Sequence, residues 1–321
     1  MAWLIQMTNH YFAIIRPLNL FIAGITQALI FFIVIRPELL SHEISPLLRD
    51  NLIFWFIFCM ICLAAGGYVI NDYFDIVPDR INKPMKQIAA KHISVSATLQ
   101  YYIILNILGI LPAVHIAFKT GTAPLLYIYP LAVFLLFLYS WKLKHLSLTG
   151  NLMVSFFCAM VPGILWFAEK DNLSLLINVS ETKGIFIEIS LFFYTVFAFF
   201  STFIREIVKD MQDVPGDLLA GSHHFVIRAG SDVSRKMVMV LMMILLISIV
   251  MFVYLVVFFQ NNTLTIVILA FLLMIFPLLW SAYRFYSARE PSEYKHAASD
   301  LKVLMSGGLL FLLLIHGIDK I

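Results

Sequence analysis

Six aspartates in two short polar stretches carry the chemistry this sequence offers. The first stretch reads Asn71-Asp72-Tyr73-Phe74-Asp75-Ile76-Val77-Pro78-Asp79-Arg80. The second reads Arg205-Glu206-Ile207-Val208-Lys209-Asp210-Met211-Gln212-Asp213-Val214-Pro215-Gly216-Asp217. Asp72, Asp75 and Asp79 stand at i, i+3 and i+7, and so do Asp210, Asp213 and Asp217. Those offsets line one helix face, and Asn71 falls close to the first of them. A proline precedes the last aspartate of each stretch, Pro78 and Pro215. Proline ends or bends a helix, so the last aspartates are expected on loops. Three carboxylates on one face repel one another unless a cation neutralises them. Oxygen ligands suit a hard cation, and Mg²⁺ takes one or two carboxylates, keeps some waters and bridges substrate phosphates. Arg80, Lys83, Arg205 and Lys209 flank the carboxylates, with Arg16 and Lys144 as further candidates. Metal and positive side chains together are what a diphosphate leaving group requires.

The elements that position these residues are membrane helices. Of 321 residues, 61% are hydrophobic and only 13% charged, against about 45–50% and about 25% in a soluble domain. The apolar residues come in blocks long enough to cross about 30 Å of hydrocarbon. Backbone groups in lipid must be satisfied within each block, so each reads as a helix, and no period-two alternation suggests a barrel. Nine helices are expected near 15–35, 51–73, 98–118, 123–140, 149–169, 185–205, 236–259, 263–283 and 301–318, as one all-α integral-membrane domain over residues 1–321. The long polar connections, 74–97 and 206–235, carry the two motifs. The first apolar block has no basic leader before it and no cleavage site after it, so it is expected to be a retained helix.

With the N-terminus in the cytoplasm, 16 of the 22 Lys and Arg residues fall on the cytoplasmic side and 6 on the other. This predicts a cytoplasmic N-terminus. Four crossings separate the two motifs, which places both on one side whichever side that is. A net charge of +3 gives no electrostatic case for nucleic acid. Cys59 and Cys62 lie in an apolar block without histidines nearby and read as buried packing residues.

With these residues in place, the chain resembles the UbiA-type intramembrane prenyltransferases. Asn71-Asp72-x-x-Asp75-x-x-x-Asp79 followed by Arg80-Ile81-Asn82-Lys83-Pro84 looks like their first signature. Arg205-Glu206-x-x-Lys209-Asp210-x-x-Asp213-x-x-Gly216-Asp217 looks like the second. Tyr139-Ser140-x-x-Leu143-Lys144 with Gly150-Asn151, and Arg16-Pro17-x-Asn19, are similar to further family features. The resemblance implies a helix bundle around a cavity open sideways to lipid. It implies two Mg²⁺ on a polyprenyl diphosphate, held by Asn71, Asp75, Asp79, Asp213 and Asp217 with Asp210 nearby; the spacing adds Asp72. Arg16, Asn19, Arg80, Lys83, Tyr139, Lys144, Arg205 and Lys209 would bind or screen the diphosphate. Two segments depart from the family pattern: Lys86-Gln87 follow Lys83-Pro84-Met85, and Ala220-Gly221-Ser222-His223-His224-Phe225 follows the second motif. His223 and His224 read as loop residues, because carboxylates already supply enough hard ligands.

The expected reaction is Mg²⁺-assisted transfer of a polyprenyl group to a lipophilic acceptor, in the cell inner membrane with the site facing the cytoplasm. The second motif looks closest to family branches acting on glycerol-phosphate ethers, homogentisate or chlorophyllide, of which the ether branch with a geranylgeranyl donor is favoured; an aromatic quinone precursor is the alternative acceptor. An ion-coupled transporter is the competing class. It would place carboxylates near the bilayer midplane, whereas these cluster at the ends of two helices. A small-residue run before the first motif, Ala64-Ala65-Gly66-Gly67, suits either passage of the prenyl tail or close helix packing.

Overall fold

A chain that leaves its backbone no water to bond has to close its hydrogen bonds within each segment. The computed structural model describes residues 9–49, 51–82, 85, 87–219, 224–260 and 262–317. Among them the chain is all-α, with one isolated bridge between Ala89 and Ile93. Nine of the described helices are long and apolar enough to cross a membrane: α1 (Pro17–Ser41), α2 (Leu52–Phe74), α4 (Val95–Thr120), α5 (Ala123–Trp141), α6 (Thr149–Val179), α7 (Glu181–Leu219), α9 (Ser231–Phe259), α10 (Thr263–Ser287) and α11 (Pro291–Gly317). Of two short helices, α3 (Ile76–Asn82) carries the end of the first motif and α8 (Phe225–Ala229) follows the second. All nine expected spans are present.

The structure corrects the two expected proline breaks. α7 passes through Pro215 to Leu219, so Asp217 stands on the helix and not on a loop. Proline removes one backbone bond there, but Ile204, Ile207, Val208 and Met211 bury a continuous stripe on the face away from the aspartates. That amphipathic pattern carries the helix past the expected end near 205. In the first motif the break comes earlier than Pro78. α2 stops at Phe74, and the Asp75 N–H still bonds the Asn71 carbonyl at 3.0 Å. Pro78 then falls in the first turn of α3, where a helix has no use for its N–H.

The chain divides into two compact units, residues 1–28 with 47–144 and residues 29–46 with 145–321. In the first unit, α2 approaches its neighbours through small residues. Gly66 faces the Asn106 amide on α4, and Gly67 faces Leu136 on α5. Gly109 lets Tyr129 and Cys62 come close, and its carbonyl accepts a hydrogen bond from Cys59 Sγ at 3.2 Å. Cys59 and Cys62 are buried, as expected, whereas Cys158 of the second unit is exposed. Gly66 and Gly67 are therefore helix-packing positions. The helical segment 9–14 docks on the same unit. Ile14, Leu20, Ala65, Val69, Ala89, Ile93 and Leu105 form one buried cluster, edged by Tyr11 and Tyr101.

The second unit is held in the same manner. Gly308 on α11 packs on the Phe197 ring of α7, and Gly307 packs directly on the Leu273 carbonyl of α10. Arg235 near the start of α9 donates to the carbonyls of Tyr286 and Ala288 and to the Tyr294 hydroxyl, fixing the turn between α10 and α11.

The two kinds of glycine contact should differ in cost. Gly307→Ala pushes a methyl into backbone that cannot move, and should lose about 1–3 kcal/mol. Gly67→Ala meets the flexible Leu136 side chain and should lose less. Melting temperatures of both variants in one detergent will show the order.

Candidate active site

The first motif is organised around one ammonium group. Lys144, just past the end of α5, places Nζ 2.7 Å from Asp75 Oδ1 and 3.2 Å from Asn71 Oδ1. Asn71 Nδ2 donates to Asp75 Oδ2 at 2.8 Å. The amide orientation is thereby fixed at both ends, with its oxygen turned to the positive charge. Lys144 is 10% exposed and Asp75 21%, so little water screens this pair.

Asp72 belongs to a different contact. Arg16 Nη2 donates to Asp72 Oδ1 at 3.1 Å, and its guanidinium lies 4.6 Å over the Tyr68 ring. Tyr68 and Asp72 are one helical turn apart on α2, so a single arginine reaches both. Asn19 Nδ2 donates to the Tyr68 hydroxyl at 3.3 Å. Arg16 takes a positive φ of 54° directly before Pro17, a position where proline disfavours the right-handed helical conformation. The strained residue turns the chain from the 9–14 segment into α1, and its side chain meets α2. Asp79 is half-buried on α3, Arg80 is exposed beside it, and Tyr139 is half-buried near the end of α5. Lys83 lies outside the described residues.

The second motif is built on α7. Asn151, buried near the start of α6, donates Nδ2 to Asp210 Oδ2 at 2.7 Å. His224, just before α8, lies with Nε2 2.9 Å from Asp217 Oδ2. The hydrogen bond to Asp217 raises the His224 imidazole above its ordinary range; burial opposes this, and the charges of Asp210, Asp217 and Asp213 add to it. Arg205 and Lys209 both turn to Glu206, at 2.5 Å and 3.8 Å. Asp213 stands on the same face, about one turn from each neighbouring aspartate. Sequence spacing does not single out Glu206, Asn151 or His224 as site residues. Asn151 has a signal in the Gly150-Asn151 pair. His224 lies where the chain departs from the family pattern, and His223 lies outside the described residues.

Among the described residues no three His, Cys, Asp or Glu side chains gather closely enough to hold a metal ion alone. The donor set nevertheless fits Mg²⁺, which keeps waters and borrows phosphate oxygens. Asn71 Oδ1 and Asp75 Oδ1 already converge on one positive charge, that of Lys144. These are the hard oxygens such an ion prefers.

Comparison with known proteins agrees with this chemistry. Residues 28–305 match the model of the UbiA prenyltransferase family. The digeranylgeranylglyceryl phosphate synthase of Methanothermobacter thermautotrophicus is 33% identical over 226 residues, 70% of this chain and 69% of that protein. The synthase of the same description from Sulfurisphaera tokodaii is 31% identical over 185 residues, 56% of this chain and 59% of that one. A solved structure described as digeranylgeranylglyceryl phosphate synthase shares the fold, with a TM-score of 0.64 at 22% identity over 97% of this chain and 99% of that one. So does a UbiA homologue from Archaeoglobus fulgidus bound to GPP and Mg²⁺, with a TM-score of 0.53 at 16% identity over 94% and 99%.

The Lys144 contact predicts a metal-dependent stability. Lys144→Met removes the charge that neutralises Asp75, at a cost on the order of 2 kcal/mol, below the roughly 3–5 kcal/mol of a fully buried pair because Asp75 keeps 21% exposure. Melting in chelator should fall accordingly, and excess Mg²⁺ should restore more of the loss in this variant than it adds to the parent chain.

Proposed function

Because the chain belongs to the UbiA prenyltransferase family, we propose that it transfers a geranylgeranyl-type group from its diphosphate to the free hydroxyl of a glycerol-phosphate ether lipid, on the cytoplasmic side of the cell inner membrane. The observation that carries this reading is the Asn71–Asp75–Lys144 group, an oxygen pair already arranged about a cation at the end of a membrane-spanning helix. The acceptor rests on the second motif, Lys209-Asp210-x-x-Asp213-x-x-Gly216-Asp217, and on the relatives described as digeranylgeranylglyceryl phosphate synthases.

On this reading Asn71, Asp75 and Asp79 would hold Mg²⁺ at the first motif, and Asp210, Asp213 and Asp217 would hold it at the second. When bound, the metal supplies charge neutralisation to the leaving oxygens. Lys144, which neutralises Asp75 in this structure, would give its positive charge to the diphosphate when the carboxylate serves the metal. Arg16, Arg80, Lys83, Arg205 and Lys209 contribute further positive charge, and Asn19 and Tyr139 add polar contacts to the donor. Asp72 stays with Arg16 and fixes its position. The allylic C–O bond breaks, its electron pair departs with diphosphate, the acceptor oxygen bonds the freed carbon, and the hydroxyl proton passes to solvent.

The tail needs an apolar path from the charged site. A groove of about 370 Å³ lies between α4 and α5, lined by Tyr102, Asn106, Ile110, Tyr129, Val133 and Phe137 among others. Phe137 packs edge-on to Phe74, the residue before Asp75, with ring centroids 5.5 Å apart. A tail in this groove therefore starts beside the first motif. Each buried methylene is worth about 0.8 kcal/mol, so chain length is read by how much of the groove the tail fills.

Purified protein in detergent should be given Mg²⁺, geranyl, farnesyl and geranylgeranyl diphosphates, and glycerol-phosphate ether or aromatic quinone-precursor acceptors, with products identified by mass. An ether-lipid product is expected; transfer to the aromatic acceptor alone would replace the acceptor assignment. Asp75→Ala and Asp213→Ala should each lose roughly 10²-fold or more in turnover with helical content unchanged. Full activity in excess chelator would refute the mechanism. Val133→Trp should shift preference toward the shorter donors, and an unchanged preference would remove the groove from the reading.

A further inference from the structure

His224 is the one aromatic base set against the second motif among the described residues, and nothing in the proposed reaction uses it. A carboxylate oxygen can only accept, so the 2.9 Å contact with Asp217 Oδ2 places the ring proton on Nε2. The ring is 15% exposed and Asp217 25%. Nδ1 makes no hydrogen bond among the described residues, so the ring's polar contact there is with Asp217. The three aspartates of the motif differ in support. Asp210 lies well inside α7 and is held by Asn151 from α6. Asp217 lies two residues before the helix ends at Leu219 and two after Pro215. Proline lacks an N–H and the last turn of any helix frays, so the backbone fixes Asp217 least of the three. A side chain from outside the helix supplies what the backbone does not.

We propose that His224 is a positioning residue for the second motif: its Nε2–H holds Oδ2 of Asp217 and leaves Oδ1 available to the cation that accompanies the donor diphosphate. The inference rests on the proposed function, in which Asp217 is a metal ligand. It assigns His224 no direct contact with metal or substrate. Partners of this kind, hydrogen-bonded to a ligand, change metal affinity by about 10–100-fold when removed.

The geometry makes the test specific to one ring nitrogen. Glutamine can place its side-chain N–H near the position of Nε2, whereas asparagine reaches only about as far as Nδ1. Mn²⁺ should be titrated by electron paramagnetic resonance into the full-length protein saturated with geranyl thiolodiphosphate, an unreactive donor analogue. Melting temperature and helical content are followed in parallel. His224→Ala and His224→Asn should weaken Mn²⁺ binding by about 10–100-fold, and His224→Gln should stay within about threefold of the parent chain. If His224→Gln binds as weakly as His224→Ala, the effect is one of charge or loop packing and the positioning role is wrong. If all three bind as the parent does, it is wrong as well. Asp217→Ala is the control that separates this inference from its premise. Unchanged Mn²⁺ binding in that variant overturns Asp217 as a ligand and His224 with it. Lost binding there beside normal binding in His224→Ala overturns only the role of His224.

Discussion

A carboxylate at the end of a membrane helix is costly until a cation or a hydrogen-bond donor sits against it. Each motif of this chain meets that condition with groups from elsewhere in its own unit. Lys144 comes from the end of α5 to Asp75, and Arg16 from the approach to α1 to Asp72. Asn151 comes from α6 to Asp210, and His224 from the segment before α8 to Asp217. The helices that bring these partners are thereby given fixed places. The electrostatic need of the carboxylates and the packing of the helices are parts of one arrangement.

The partners are not equivalent. Arg16 is 46% exposed, and an arginine lying over a tyrosine ring keeps a fixed place while half in water. Lys144 is nearly buried, a compact charge on a flexible stem, and occupies the position that suits a hard cation between two oxygens. Arg16 anchors an element, and in the function proposed above Lys144 is the group that gives way to the metal ion.

Close packing supplies the rigidity that such contacts need. Gly307 on the Leu273 carbonyl, Gly308 on Phe197 and Gly66 on Asn106 let helices approach where no lipid-facing contact distinguishes one arrangement from another. Similarity to solved structures indicates how little sequence this requires. The fold persists at 22% identity over 97% of the chain, because apolar residues exchange freely inside a helix that lipid already obliges to form.

Much of this architecture is legible in the order of the amino acids. Among the described residues each of the nine apolar blocks is helical, since lipid leaves the backbone no alternative, and the i, i+3, i+7 spacing marks the aspartates, since helical period is a local property. Breaks and partners are not legible in the same way. Pro215 suggests an end to α7 that buried packing on Ile204, Ile207, Val208 and Met211 overrides, and Pro78 draws attention from the break that occurs at Asp75. Gly66 and Gly67 suit two roles until Asn106 and Leu136 are seen against them. Spacing places Asp72 with Asp75 and Asp79, and only the tertiary structure sets it against Arg16, which is 56 residues away in sequence. His224 reads as a loop residue for the same reason. The sequence by itself determined which segments are helices and which carboxylates share a face, because those depend on neighbours a few residues apart. The tertiary structure decided which cation or amide each carboxylate meets, because that depends on how distant helices pack.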